Sequence, residues 1–163
     1  MRRRVVVTGL GAITSVGIGA DEFLDALRCG RQGAAPITAF DTAGYPNKIG
    51  CEVADFAPEQ WLGTRAEEFG RTTQFAVVAA RMALADAGLD GDRLHDRRGL
   101  VAVGTTDGES RDLDRMMRSW IDDGPDAMAP ALARRIPVSR LSTSIARELT
   151  LTDVEAVTIP TAC

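Results

Sequence analysis

Two runs of almost uninterrupted aliphatic residues constrain the fold more than any other feature. Leu100-Val101-Ala102-Val103 sits between Gly99 and Gly104, and Val154 to Ile159 leads into Pro160-Thr161-Ala162-Cys163. Neither run alternates apolar with polar as a half-wet strand does. Strands of this kind belong in a sheet covered on both faces, the usual setting of parallel strands. Between them lie segments of helical period. Leu113, Met116, Met117, Trp120 and Ile121 recur at i, i+3, i+4, i+7 and i+8 within Glu109 to Ile121, a stripe that reads as core before it reads as a ligand-binding face, and Gly124-Pro125 ends that helix. Pro137 to Leu149 reads as another helix, with proline in its first turn. Strand and helix alternation predicts a layered α/β fold, a mostly parallel sheet covered by helices.

The remaining segments fit this plan. Arg3 to Thr8 is a β-branched run predicted as a further buried strand, running into the tight Gly9-Leu10-Gly11 turn. Asp21 to Arg28 reads as a short helix with Asp21 at its N-cap, an apolar face of Phe23, Leu24 and Leu27, and Gly30 as its stop. Residues 31–46 are rich in turn formers, and Lys48 to Val53 alternates as a strand with one wet face. Arg71 to Ala87 is the strongest helix. Its stripe of Phe75, Val78, Met82 and Ala85 among small alanines predicts burial between layers, and Gly88 ends it.

Charge and cysteine usage narrow the function. Nineteen basic against 23 acidic residues give a net charge of −4, which disfavours a broad nucleic-acid surface. No apolar stretch approaches the ~20 residues of a membrane span. The basic start, Met1-Arg2-Arg3-Arg4, only imitates a signal peptide, because Thr8, Gly9 and Gly11 cut the apolar run short. Cys29, Cys51 and Cys163 show neither CxxC spacing nor a histidine at ligand distance. This predicts a reduced, cytoplasmic protein without a metal, in which Cys29 and Cys51 are structural.

Cys163 has the position of a nucleophile. Ligands of parallel α/β folds bind beyond the carboxyl ends of strands. A cysteine there, followed by a helix, would meet unpaired N–H groups and a helix dipole that favour the thiolate, with amides available for an oxyanion. The alternative is a buried strand-end cysteine. Gly9-x-Gly11 suggests a rival dinucleotide loop, but G-x-G-x-x-G requires glycine where Thr14 stands. The loop Gly104-Thr105-Thr106-Asp107-Gly108-Glu109 follows a strand at its carboxyl end, and Asp107-Gly108 also fits a simple Asx-type turn. The single histidine, His95, falls in a polar connector and reads as a solvated loop residue.

At these residues the chain resembles a known family. Arg3-Arg4-Val5-Val6-Val7-Thr8-Gly9-Leu10-Gly11 with Ser15-Val16-Gly17, then Phe40-Asp41-Thr42 and Tyr45, then Arg71-Thr72-Thr73-Gln74-Phe75 with Ala85-Asp86-Ala87-Gly88-Leu89, and finally Thr161-Ala162-Cys163, follow one another in order and spacing. Together they resemble the elongating, type II β-ketoacyl-acyl-carrier-protein synthases of the thiolase superfamily, over residues 3 to 163. The resemblance implies a thiolase-like layered αβαβα fold, of which residues 1–163 are the N-terminal half. It implies that Cys163 accepts an acyl chain as a thioester and that malonyl-carrier protein, after decarboxylation, attacks it. It further implies an acyl carrier protein as partner, no cofactor beyond the carrier's phosphopantetheine, and completion by a C-terminal half carrying two histidines and a lysine. The active form would be a homodimer or a heterodimer with a chain-length-factor-like subunit, with neither nucleic acid nor membrane involved.

By the same resemblance, Thr106, Asp107 and Gly108 line the acyl pocket, and Arg65 and Arg71 face the acidic carrier protein. Glu67 and Glu68 dilute that basic patch, and Arg134-Arg135 is a second candidate. Two departures are visible. Asp107 stands where the family often has an apolar residue. Leu151-Thr152-Asp153-Val154-Glu155 replaces the usual Gly-Pro pair before the nucleophile strand, which points to a divergent member and to polyketide or polyene assembly as well as fatty-acid elongation. The alternatives are a non-catalytic chain-length-factor-type subunit, which usually lacks the cysteine, and a nucleotide-binding α/β module. A sequence that stops on the nucleophile turn suggests a chemically modified Cys163 in preference to a proteolytic nick. An intact mass near 17.4 kDa would contradict that expectation.

Overall fold

A computed structural model describes residues 4–95 and 97–161. Cys163 and Ala162 therefore lie outside the described residues. A small hairpin of β1 (Ile13–Thr14) and β2 (Gly17–Ile18) leads into α1 (Ala20–Arg28), and β3 (Ala34–Pro36) pairs antiparallel with β4 (Ile49–Cys51). Next come α2 (Glu59–Leu62), a 3-10 turn (Gly63–Glu68), the long α3 (Arg71–Asp86) and the short α4 (Gly91–Leu94). The second half runs β5 (Gly99–Thr105), α5 (Ser110–Asp123), a 3-10 turn (Pro125–Ala127), α6 (Pro130–Ala133), α7 (Ser139–Glu148) and β6 (Val154–Pro160). β5 and β6 are parallel, in register from Gly99 opposite Val154 to Thr105 opposite Pro160.

The two aliphatic runs thus pair as the sequence predicts, joined by a helical crossover. α7 packs on α3 and on both strands. Its inward face carries Leu141, Ser142, Ser144 and Ile145, all buried. The core joins Phe56, Leu62, Ala66, Phe69, Val77, Val78, Met82 and Ile145, with Val101 and Val103 of β5 packed against it. α3 is therefore the hub, as its length and alanine content suggest. Its buried residues are Thr73, Val77, Val78 and Met82; Phe75 is half-buried and Ala85 is exposed.

Several expectations are corrected. Residues 4–8 pair with no strand among the described residues, and Val5 is 93% exposed. β-Branched side chains favour extended backbone, but a strand exists only where a neighbour completes its ladder. Among the described residues, β5 and β6 make the parallel pair of the expected sheet, and β1–β2 and β3–β4 are local antiparallel pairs. Asp21 does not cap α1. Gly19 holds the N-cap at φ +97°, and Glu22 reaches back to accept a hydrogen bond from the Ile18 N–H (2.9 Å). Leu24 and Leu27 are exposed, and Ala26 is the residue α1 buries. Cys29 and Cys51 are free and exposed, so neither serves the core.

α5 has the helical period expected of it but a different orientation. Asp112 is buried and Met116 and Ser119 are half-buried, whereas Leu113, Met117, Trp120 and Ile121 are exposed. The inward face is thus rotated by about one residue from the apolar stripe. The anchors of Asp112, described below, set that rotation.

The glycine-rich start packs against α3 rather than cradling phosphate. A Cβ on Gly9 would lie 2.1 Å from the Ala83 carbonyl oxygen, and one on Gly11 would lie 2.0 Å from that of Ala79. The Leu10 N–H donates to Asp86 at 2.8 Å. The segment runs along the flank of α3, not into a helix N-terminus, which removes the dinucleotide-loop geometry. In the complete protein, Gly11→Ala is expected to lower stability by about 1–3 kcal/mol through overpacking. Gly44→Ala, where an added Cβ meets nothing within 4 Å, should change it little. Thermal or urea unfolding of the two variants checks this.

Candidate functional site at the carboxyl ends of the parallel strands

The site begins where the ladder ends. Beyond the last pair, the Thr161 N–H donates to the Thr105 carbonyl at 2.9 Å. This bond holds the two strand ends side by side, two residues before Cys163. On the β5 side, the chain turns through Thr106, Asp107 and Gly108. Gly108 adopts φ +73°, and a Cβ there would also sit 3.0 Å from Val138 Cγ1, so glycine is required twice over. The Gly108 N–H donates to Thr105 Oγ1 (3.2 Å), and Ser110 Oγ donates to Asp107 Oδ2 (2.8 Å). The Asp107 carboxylate is thus tied to the Ser110 hydroxyl at the start of α5.

The next residue carries the strongest polar contacts of the region. Glu109 is 4% exposed. Its carboxylate accepts from the Thr72 N–H (3.1 Å), the Thr73 N–H (2.7 Å) and Thr73 Oγ1 (2.6 Å), at the start of α3. The N-cap of α3, Gly70, has no side chain to do this, so the cap comes from a distant loop. An anion at a helix N-terminus is favoured both by the free N–H groups and by the dipole. Thr72 Oγ1 returns a bond to the Gly108 carbonyl (2.8 Å). Beside it, buried Asp112 faces Arg135 at 3.6 Å and Arg115 at 3.8 Å. A Cβ at Gly70 would fall 2.3 Å from Glu109 Oε2 and 2.8 Å from Asp112 Oδ2. In the sequence Glu109 marks the end of the loop after β5 and the start of a helix. The contact spans 36 residues, and no local pattern announces it.

A cleft of about 480 Å³ opens beside the strand ends, lined by Thr14, Thr72, Phe75, Val103, Thr105 and Leu141 among others. Gly104 contributes to its wall. Thr106, Asp107 and Gly108 do not: Thr106 and Asp107 are exposed at the tip of the turn, and Gly108 is buried under Val138. The loop lies where expected, but the residues that meet the cleft come one step earlier.

The two arginines separate. Arg65 pairs with Glu148 (2.7 Å) and Glu68 (3.4 Å) and keeps 39% of its side chain exposed. The hydrogen bond to Glu68, with Glu148 close by, raises its pKa. Arg71 turns inward. Its guanidinium lies 4.7 Å from the centroid of Phe56 and 4.8 Å from that of Phe75, and it donates to the carbonyls of Val53 (3.1 Å) and Phe56 (3.3 Å). Burial, reinforced by the Arg111 charge, lowers its pKa. A side chain committed in this way is a structural tie between α3 and the segment before α2, not a free surface cation. His95 is exposed, with Nδ1 2.9 Å from the Thr150 carbonyl. Among the described residues, no cluster of His, Cys, Asp or Glu could hold a metal ion, and no helix is long and apolar enough to cross a membrane.

This arrangement has known counterparts. The profile of the β-ketoacyl synthase N-terminal domain matches residues 2–163. The chain belongs to the β-ketoacyl synthase family. It is 37% identical over 130 residues to 3-oxoacyl-[acyl-carrier-protein] synthase 2 of Synechocystis, covering 79% of this chain and 31% of that protein. It is 41% identical over 115 residues to the tetracenomycin polyketide synthase ketoacyl synthase alpha subunit of Streptomyces glaucescens, covering 69% of this chain and 27% of that one. Among solved structures, the ishigamide ketosynthase/chain length factor superposes with a TM-score of 0.94 at 52% identity, over 100% of this chain and 41% of its counterpart. The chain thus spans about a third of the curated ketosynthases it matches. The thiolase-like layered α/β fold expected from the sequence is the fold of these neighbours.

The inward geometry of Arg71 has a measurable consequence. Lysine keeps the charge but loses the planar stacking and the forked donation to two carbonyls. In the complete protein, Arg71→Lys is expected to lower stability by about 1–3 kcal/mol. Exposed Arg134→Lys should stay within about 0.5 kcal/mol of the parent. Equal urea midpoints for Arg71→Lys and the parent would contradict the assignment.

Proposed function

We propose that this chain is the nucleophile-bearing N-terminal half of an elongating β-ketoacyl synthase, working in type II polyketide, polyene or fatty-acid assembly. The supporting observation is the Thr161–Thr105 bond, from which the sequence continues directly into Ala162-Cys163. In this reading, the Cys163 thiolate attacks the thioester carbonyl of an acyl chain carried on phosphopantetheine and releases the carrier's thiol. Malonyl-carrier protein then loses CO2, and its carbanion attacks the acyl-Cys163 carbonyl. A carbon–carbon bond forms, the carbon–sulfur bond breaks, and the thiolate returns. Residues after Cys163 supply the histidines and lysine for decarboxylation, and the protein needs no cofactor of its own.

The partners follow the same logic. A solved relative at 20% identity is described as a type II acyl-carrier protein in complex with its ketosynthase. We place a carrier protein on this chain too, with Arg65 the better placed of the two arginines to meet it. The partner subunit is a second copy or a chain-length-factor-like chain. Thr106, Asp107 and Gly108 follow directly on Gly104 and Thr105, which line the cleft offered to the growing acyl group. Free, exposed Cys29 and Cys51 fit a reducing cytoplasm.

A second reading, a chain-length-factor-type subunit, draws support from 43% identity over 97 residues to the tetracenomycin beta subunit, covering 59% of this chain. Cys163 speaks against it, because such subunits do without the nucleophile. Incubating the complete protein with an acyl-carrier protein and measuring intact mass separates the two. The ketosynthase gains one acyl group, and Cys163→Ala gains none. A parent protein that takes no acyl group would favour the subunit reading.

A further inference from the structure

We infer that Glu109 is a positioning residue for acyl-chain selection, acting through a clasp that fixes the turn after β5. The inference rests on the ketosynthase reading above. A helix cap alone would need one acceptor on one N–H. Here the carboxylate takes three donors, and Thr72 Oγ1 adds a bond to the Gly108 carbonyl, the backbone of the turn itself. The other end of the turn is fixed as well. Thr105 holds Thr161 through its carbonyl and Gly108 through its hydroxyl. Between these two fixed points stand Thr106 and Asp107, both exposed.

The same clasp reaches the cleft. Thr72, bonded to both Glu109 and Gly108, lines it, as does Thr105. Glu109 itself does not line the cleft, so it acts on an acyl chain only by holding Thr72 and the turn in place. Gly70 is shaped to admit it, because any Cβ there would collide with the carboxylate. Loosening the clasp frees the turn to move relative to the cleft wall, which changes the space offered to long chains more than to short ones. The effect falls on selectivity rather than on the nucleophile.

The test uses the complete protein and carrier-linked acyl substrates of two lengths. Glu109→Gln keeps the shape but cannot accept from all three donors. Thr72→Val keeps the cap and breaks only the bond to Gly108. Both variants are expected to change the ratio of kcat/KM for long against short acyl groups by about fivefold or more. A cap that is only structural lowers melting temperature and lowers both rates by one common factor. An unchanged ratio in both variants overturns the inference. A parent protein that acylates on Cys163 but shows that unchanged ratio in its variants fails this inference alone. A parent that never acylates fails the ketosynthase reading, and this inference with it.

Discussion

One hydrogen bond, from the Thr161 N–H to the Thr105 carbonyl, sets the geometry on which the site depends. It extends the parallel β5–β6 ladder past Pro160, a residue with no N–H to donate, and so keeps two strand ends together at the point where the chain departs toward Cys163. Parallel strands need a covered sheet and a long crossover. Residues 106–153 supply that crossover, and α7 closes it with small and aliphatic side chains against β5 and β6. The geometry of the region is therefore a consequence of sheet topology before it is a property of any single side chain.

α3 is the second determinant, because three different contacts converge on it. Its alanine flank admits Gly9 and Gly11 at backbone distance. Its first turn is capped by Glu109 from the far side of β5. Further along, Arg81 joins Arg65 on the Glu148 carboxylate, whose side chain is 2% exposed. A buried carboxylate is costly unless paired, and two guanidiniums provide that pairing. The helix thus holds the N-terminal segment, the β5 turn and the end of α7 in one frame.

The sequence made the layers legible and left the orientations hidden. β5, β6, α3 and α7 follow from period and composition, although Leu100, Val157 and Ile159 of the two strands stay exposed in this chain. The strand over residues 3–8 and the inward stripe of α5 fail for a shared reason. Both are local patterns whose outcome depends on neighbours elsewhere: a missing ladder partner in the first case, and the anchoring of Asp112 near Gly70 and Arg135 in the second. Glu109 escaped notice because its donors are 36 residues away. Arg71 read as a surface cation because nothing local shows that Phe56 and Phe75 enclose it. Thr150, at φ 53° after α7, takes a left-handed position commonly given to glycine, just before the stretch that departs from the family pattern.

The central claim is that this topology delivers Cys163 as a thiolate. The direct measurement is the rate of iodoacetamide alkylation of Cys163 in the complete protein as a function of pH, followed on its own peptide by mass spectrometry. A strand-to-helix junction with free N–H groups predicts a midpoint well below the roughly 8.5 of a free cysteine. A midpoint at or above that value would mean a thiol buried among aliphatic groups and would contradict the claim.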